Sequence, residues 1–384
     1  MIRWWLEKGV SGFRLDAIIN IKKDLRFADF PADREDGLCA GTTMLACAKG
    51  VTDFLQEMKR EAFAPYDAFT IGELFDFRPE EMECYIGEQG CFSSIFDFTP
   101  HLLGASENGW YDRKKVTMDE FRDAVFASKA ISQEIGMMAN IIENHDEPRG
   151  VSRYLPVDGQ TERGKKLLAG ISLMTFGLPF LYQGQEIGMT NKQFRSINEV
   201  DDISTLDEYQ VARKHGLTDE EALQAVSQMS RDNARTPMQW SKEPSGGFTT
   251  GIPWLPVNEN YQEIRADEQE EREDSLLNFY RQLIALRTDP EYGETVVYGR
   301  EEPVFREWTD FTAFYRKGAE RTLLILANTR KEPREVRLFA PVKHVILDNC
   351  RIRSEAEQNQ GVTTIFMEGW QFLILELESS IERE

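Results

Sequence analysis

The sequence runs to 384 residues, with 45 Lys and Arg against 66 Asp and Glu and a formal net charge of −21. That balance repels phosphate backbones and anionic membrane surfaces, so neither nucleic acid nor a membrane surface is an expected partner. The length allows a large core plus a second domain. The five cysteines, Cys39, Cys47, Cys84, Cys91 and Cys350, form no CxxC pair and no even framework, as in a reducing compartment without disulfides. No stretch approaches the ~18 uninterrupted apolar residues of a membrane span, and the amino terminus lacks the apolar core of a signal peptide. A cytoplasmic location is expected.

In chain order, Ile2, Trp5 and Leu6 are spaced as one face of a helix that stops at Gly9. "VSGFRLDAI" then reads as a first strand, followed after a long loop by a helix around Val51 to Glu61. "DAFTIGELF" is a second strand with a helical stretch near Pro79 to Ile86, and "CFSSIFDF" a third with a helix over Met118 to Ser132. "GMMANIIENHD" is a fourth, followed by Gly164 to Thr175, and "LPFLYQGQEIG" a fifth. Strand and helix alternating in this way predicts parallel strands joined by right-handed crossovers.

The alternation breaks into a long polar region, about 190–274, which contains "SRDNARTPMQW" and "GGFTTGIPW". Segments of that length are functional or carry their own helices. "SLLNFYRQLIALR" restores a helix. From about Tyr292 onward short β-rich runs separated by turn residues predict a small antiparallel all-β domain over 292–384.

Asp16, Glu73, and the pair His145 and Asp146 each fall at the carboxyl end of a different apolar strand, as do Gln185 and Glu186 on the fifth. In parallel α/β architectures that edge gathers catalytic groups from several strands. Each residue alone has a plainer reading. Arg14 and Asp16, two apart on a strand, could be only a buried ion pair; Glu73 and Asp146 could cap helices or start turns; His145 could be a hydrogen-bonded structural residue; Arg231 and Arg235 could form a solvated charged face. Their joint placement favours a common pocket.

"GFRLDAI", "FTIGELF" and "NIIENHDEPR" resemble, in order, three signature segments of the α-amylase superfamily, glycoside hydrolase family 13. "RDNARTPMQW" with "GGFTTGIPW" is similar to a segment of its bacterial α-glucosidase and oligo-1,6-glucosidase branch. The resemblance implies a TIM-type (β/α)8 barrel followed by an antiparallel β-sandwich. Asp16 would be the nucleophile, Glu73 the general acid and base, and Asp146 the third carboxylate that orients sugar hydroxyls. Arg14 would hold Asp16 ionised, while His145, Arg231 and Arg235 would bind the sugar or the neighbouring carboxylates. Retaining hydrolysis needs one ionised carboxylate to attack the anomeric carbon and one protonated acid to release the leaving oxygen. Burial and neighbouring negative charge should raise the pKa of Glu73.

Five strand and helix units are visible where a closed barrel needs eight. The chain therefore resembles the last two-thirds of such an enzyme: residues 1–291 as barrel strands four to eight, lacking the first three. An open sheet of that kind exposes unpaired edges and predicts poor solubility or weak activity. The expected reaction is hydrolysis of terminal α-glucosidic bonds in a small oligosaccharide of maltose or isomaltose type. Ala17 after the nucleophile resembles α-1,4-preferring relatives, yet linkage stays open. Sucrose or trehalose isomerisation, phosphotrehalase activity, an inactive fragment and a non-catalytic interaction module are the alternatives. No organic cofactor is expected, and calcium, where the family holds it, would belong to the N-terminal part that the resemblance places before Met1.

Overall fold

A computed structural model describes residues 1–32, 37–39, 41, 50–75, 79–350, 356–359 and 362–378. Cys47 lies outside the described residues; Cys39, Cys84, Cys91 and Cys350 are free thiols. The chain divides into two compact units, one of residues 1–98 with 130–140, the other of residues 99–129 with 141–384.

The first unit is built on a parallel sheet in the order β1 (Gly12–Leu15), β2 (Phe69–Gly72), β3 (Ser94–Ile95). A single parallel bridge, Phe96 to Ala139, extends it to β4 (Ala139–Asn140). Parallel neighbours require a crossover, and the helix Val51–Met58 supplies one between β1 and β2. That helix continues through a π turn, Lys59–Phe63. Beneath the sheet Ile18, Leu55, Phe63, Phe92 and Ile95 form a core, each 4% exposed or less; a buried side chain of this size is stabilised by ~1.5–3 kcal/mol. Gly12 is required where it stands, because a Cβ there would lie 2.1 Å from the Phe69 carbonyl oxygen of β2.

The opening helix, Ile2–Glu7, buries only Leu6; Trp5 is 46% exposed. Ile2 packs against the core beside Leu6, so of the three residues whose spacing predicted the helix only Trp5 is turned to solvent. β1 is an edge strand, paired among the described residues with β2 alone.

In the second unit two helices, Glu162–Met174 and Leu276–Thr288, share a core with the β-rich segment, where Leu167, Ile171, Leu283, Phe314, Ile325 and Phe372 meet. Thr161 caps the first of these helices and Ser275 the second, each accepting a backbone N–H three residues on. The polar region predicted to carry its own helices does so, in Ile203–Lys214, Asp219–Met229, Asp232–Arg235 and Ala266–Glu271.

The helical chain persists past Tyr292 as Gly293–Tyr298 before β structure begins with β6 (Arg300–Pro303). A five-stranded antiparallel sheet follows in the order β10-β13-β8-β7-β6, comprising β7 (Phe311–Lys317), β8 (Thr322–Asn328), β10 (Val342–Asp348) and β13 (Phe372–Leu377). A three-stranded sheet, β11-β12-β9, contains β9 (Arg334–Leu338), β11 (Ala356–Asn359) and β12 (Val362–Met367). Leu324, Leu326, Val336, Ile365 and Leu375 fill the core shared by the two sheets, as expected of sandwiched faces with alternating residues turned inward. Arg122 reaches from the helix Met118–Ser132 and donates to the Trp308 and Phe311 carbonyl oxygens, both at 2.8 Å.

Candidate active site

Strand register sets up the first group of charges. Leu15 of β1 lies opposite Gly72 of β2, so the next residue on each strand, Asp16 and Glu73, leaves the sheet at the same edge. The Glu73 amide donates to the Leu15 carbonyl at 2.9 Å and the Ile18 amide to the Glu73 carbonyl at 3.2 Å. Between them the chain turns sharply through Ala17, which takes the left-handed conformation at φ 41° and ψ 50°. For a residue with a Cβ this costs roughly 1–2 kcal/mol. The turn aims the Ala17 N–H at the Glu73 carboxylate, Oε2 accepting at 2.8 Å.

Arg14 completes the group. Its Nη2 lies 2.8 Å from Glu73 Oε1, and its Nη1 donates to Asp16 Oδ1. Glu73 is buried, its side chain 8% exposed, whereas that of Asp16 is 72% exposed. Burial pushes the Glu73 carboxyl above the ordinary carboxylate range; the Ala17 N–H and the Arg14 guanidinium pull against that shift, and the charge of Asp16 and a hydrogen bond with it reinforce it.

The second unit holds a group of its own around Asp146. The Asn144 side chain accepts the Asp146 N–H at 2.7 Å, a local turn that presents the carboxylate. Asp146 Oδ1 receives Arg235 at 2.6 Å and Arg231 at 3.2 Å, and Oδ2 lies 3.2 Å from His145 Nε2. Arg235 also donates to the His145 carbonyl oxygen at 2.9 Å. Arg231 is shared with the buried Asp202 at 3.1 Å. Desolvation pulls its pKa down, but its bonds to Asp146 and Asp202 win and raise it. The arginines of "SRDNARTPMQW" are thus drawn to a carboxylate of "NIIENHDEPR" 85 and 89 residues away.

The structure brings Arg14, Asp16 and Glu73 together in one unit and His145, Asp146, Arg231 and Arg235 together in the other. Gln185 and Glu186 depart from the expectation. They lie in a turn beyond β5 (Leu178–Pro179), where the Gln185 amide donates to Tyr280 Oη at 3.1 Å and Glu186 accepts the Gly184 N–H at 2.8 Å. Both serve local structure; the strand stops at Pro179, just as β4 stops at Asn140, well before His145 and Asp146, which the sequence also placed at a strand end.

Sequence reasoning missed a buried ion pair, Glu143 with Arg149 at 2.9 Å, whose side chains are 0% and 1% exposed. Arg149 also donates to the Gln183 carbonyl oxygen at 2.7 Å and to those of Asn233 and Ala234 at 3.3 Å, and Glu143 accepts the Gly150 N–H at 2.7 Å. This cluster links the chain flanking Asp146 to the helix that carries Arg235. A glutamate inside the apolar run "NIIEN" was the available signal. Among the described residues no group of three or more His, Cys, Asp and Glu side chains is placed to hold a metal ion, and no helix is long and apolar enough to cross a membrane.

Residues 1–298 match the alpha amylase catalytic domain family. The chain is 34% identical over 334 residues to the oligo-1,6-glucosidase of Bacillus cereus, covering 86% of this chain and 59% of that protein. It is 32% identical over 336 residues to the trehalose-6-phosphate hydrolase of Bacillus subtilis, covering 85% and 57%. Among solved structures it superimposes on the isomaltulose synthase of Klebsiella sp. LX3 with a TM-score of 0.88 at 30% identity, over 98% of this chain and 66% of that one. The chain therefore spans somewhat less than two thirds of the relatives it matches.

A catalytic domain of TIM-barrel type followed by an antiparallel sheet domain is the class of protein that fold and likeness define. The chain belongs to the alpha-amylase family, glycoside hydrolase family 13, with oligo-1,6-glucosidases among its relatives.

Proposed function

We propose that the chain carries the catalytic apparatus of a retaining α-glucosidase acting on short oligosaccharides of maltose or isomaltose type. Asp16 attacks the anomeric carbon, Glu73 first protonates the leaving oxygen and then deprotonates the water that releases the sugar, and Asp146 binds sugar hydroxyls. Arg14 positions Asp16 and Glu73, while His145, Arg231 and Arg235 orient Asp146 and the sugar. The observation that carries this reading is the contrast between two carboxyls held by one guanidinium. Glu73 is buried with a raised pKa; Asp16 is open to solvent. One carboxyl suited to carry a proton beside one suited to attack is the pair that double displacement requires.

The chain alone should turn over weakly. β1 has no second neighbour among the described residues, and Trp4, Val10 and Phe69 of the same unit are each at least 36% exposed. We therefore read residues 1–291 as part of a barrel and residues 292–384 as its appended β domain, in a cytoplasmic enzyme.

The test is a chimera in which this chain is completed by the part of the Bacillus cereus relative that it does not cover, assayed with maltose and isomaltose. Asp16→Asn should reduce turnover roughly 10⁶-fold, as removal of a covalent nucleophile does. Glu73→Gln should abolish hydrolysis of these sugars yet spare formation of the glycosyl-enzyme from an α-glucosyl fluoride, which needs no acid assistance. Unchanged hydrolysis in both variants would discard the roles given. A second reading, sucrose isomerisation by the same residues, is favoured by the likeness to the isomaltulose synthase; isomaltulose as main product from sucrose would establish it.

A further inference from the structure

The second unit contains a cavity of about 1010 Å³ that none of the seven residues discussed above lines. Its walls are the loop from Leu103 to Val116, the segment Thr190–Arg195 and one face of the helix Asp219–Met229. Its size is that of small-molecule sites. Its charge runs against that of the whole molecule. Arg113, Lys114, Lys115, Arg153, Lys192 and Arg195 line it against only Glu220 and Glu221, in a chain whose acidic residues outnumber basic ones 66 to 45.

Neutralisation within the wall is uneven. Arg153 is committed to Glu147 at 2.5 Å and to the His101 carbonyl oxygen at 2.6 Å, Arg195 pairs with Glu259, and Lys192 lies 3.9 Å from Glu199. On the acidic side Glu221 is spent on its own helix, accepting the Thr218 N–H and hydroxyl at 2.8 Å each. Lys114 and Lys115 are exposed and form no ion pair among the described residues, while the Lys114 charge also acts on the Asp112 and Glu120 carboxylates. The cavity thus keeps a surplus of positive charge at one wall.

The same loop presents two aromatic rings, Trp110 and Tyr111. It is held firmly. The Tyr111 N–H donates to Glu208 at 2.9 Å, its hydroxyl lies 2.6 Å from His215 Nδ1, and Asp112 accepts Ser106 at 2.7 Å and Asn108 at 2.8 Å. Gln193 and Gln224 add amide groups from the facing walls. Fixed rings that offer an apolar face, planar amides that both donate and accept, and unpaired ammonium groups recognise respectively a sugar ring, its hydroxyls and a negatively charged substituent.

We propose that this cavity is a second binding site, for a phosphorylated sugar, with Lys114 and Lys115 holding the phosphate and Trp110 the ring. A field opposite in sign to the rest of the surface draws such an anion to this wall.

The experiment is calorimetric titration of the full chain with glucose 6-phosphate, glucose and inorganic phosphate. Glucose 6-phosphate should bind saturably and more tightly than either glucose or phosphate, and rising salt should weaken it. The double variant K114E/K115E should weaken it about tenfold or more, a loss of ~1.4 kcal/mol or greater, and W110A should weaken it while leaving phosphate binding unchanged. D146N should bind glucose 6-phosphate as the parent does, which separates this site from the glucosidase reading. Equal binding by the parent and K114E/K115E would overturn the proposal. So would phosphate binding as tightly as glucose 6-phosphate, or loss of binding in D146N.

Discussion

Arg14 bridges Glu73 and Asp16, its two guanidinium nitrogens each taking one carboxylate and Glu73 accepting at 2.8 Å. One cation therefore acts on both members of the proposed acid and nucleophile pair, and its removal has a defined sign. Because Arg14 lowers a Glu73 pKa that burial raises, Arg14→Gln should move the alkaline limb of the pH–rate profile of the chimera to higher pH. It should also reduce kcat/KM by about 10²–10³, the scale on which preorganised charge contributes. A profile displaced downward without a shift of the limb would show that Arg14 does not act through Glu73.

The pair Glu143 and Arg149 offers a test of stability rather than rate. Both side chains are fully buried, so Glu143→Ala would leave an uncompensated cation and should cost about 3–5 kcal/mol. In urea unfolding, Arg149→Met combined with Glu143→Leu should recover part of that loss, because an apolar pair carries no desolvation penalty. Equal losses in the single and double variants would mean that the hydrogen bonds to Gln183, Asn233 and Ala234, and not the charge pairing, dominate.

Lys165 should make stability depend on alkaline pH. Burial lowers its pKa from 10.5 to about 8, and its Nζ donates to the Gly188 carbonyl oxygen at 3.0 Å. Between those two values the unfolded chain binds the proton and the folded chain does not, so this group's contribution to stability rises with pH across that window. Lys165→Met should flatten the rise, by up to roughly 3 kcal/mol for a shift of this size. The difference between the two proteins, followed by urea midpoints from pH 8 to 10.5, isolates the effect.

Gly12→Ala should damage the first unit. The added Cβ would meet the Phe69 carbonyl oxygen at 2.1 Å, and because that oxygen belongs to the neighbouring strand's backbone, β1 must move. Overpacking of this kind costs ~1–3 kcal/mol. The same shift should displace Arg14 and lower activity of the chimera, an outcome read by thermal unfolding together with turnover.

What the sequence shows of this protein follows from how local the signals are. Arg14 and Asp16, two apart on one strand, announce a shared face, and the structure has them bonded. The alternation of strand and helix identifies a barrel-type domain, because the period of each element is written in its own residues. The pairing of Glu143 with Arg149 was not legible, since nothing in the spacing of two residues on irregular backbone says that they fold onto each other. Gln185 and Glu186 misled for the opposite reason: a polar pair after an apolar run looks like a strand end, but the strand stops at Pro179. The helix Gly293–Tyr298 escaped notice because "GETVVY" is rich in β-branched residues whose helical state is set by packing of Val296 into the core.

The carbonyl oxygens that Arg122 takes from Trp308 and Phe311 are repaid in kind, for Arg316 of β7 donates to the Met174 carbonyl oxygen at the end of a helix, at 2.9 Å. Stitches run in both directions across that seam. Trimming the terminal sheet would take two carbonyl partners from Arg122, leaving it to Asp119 and Asp123, and would leave a helix end without its donor. An engineer shortening this polypeptide would have to replace both arginine contacts before removing β7.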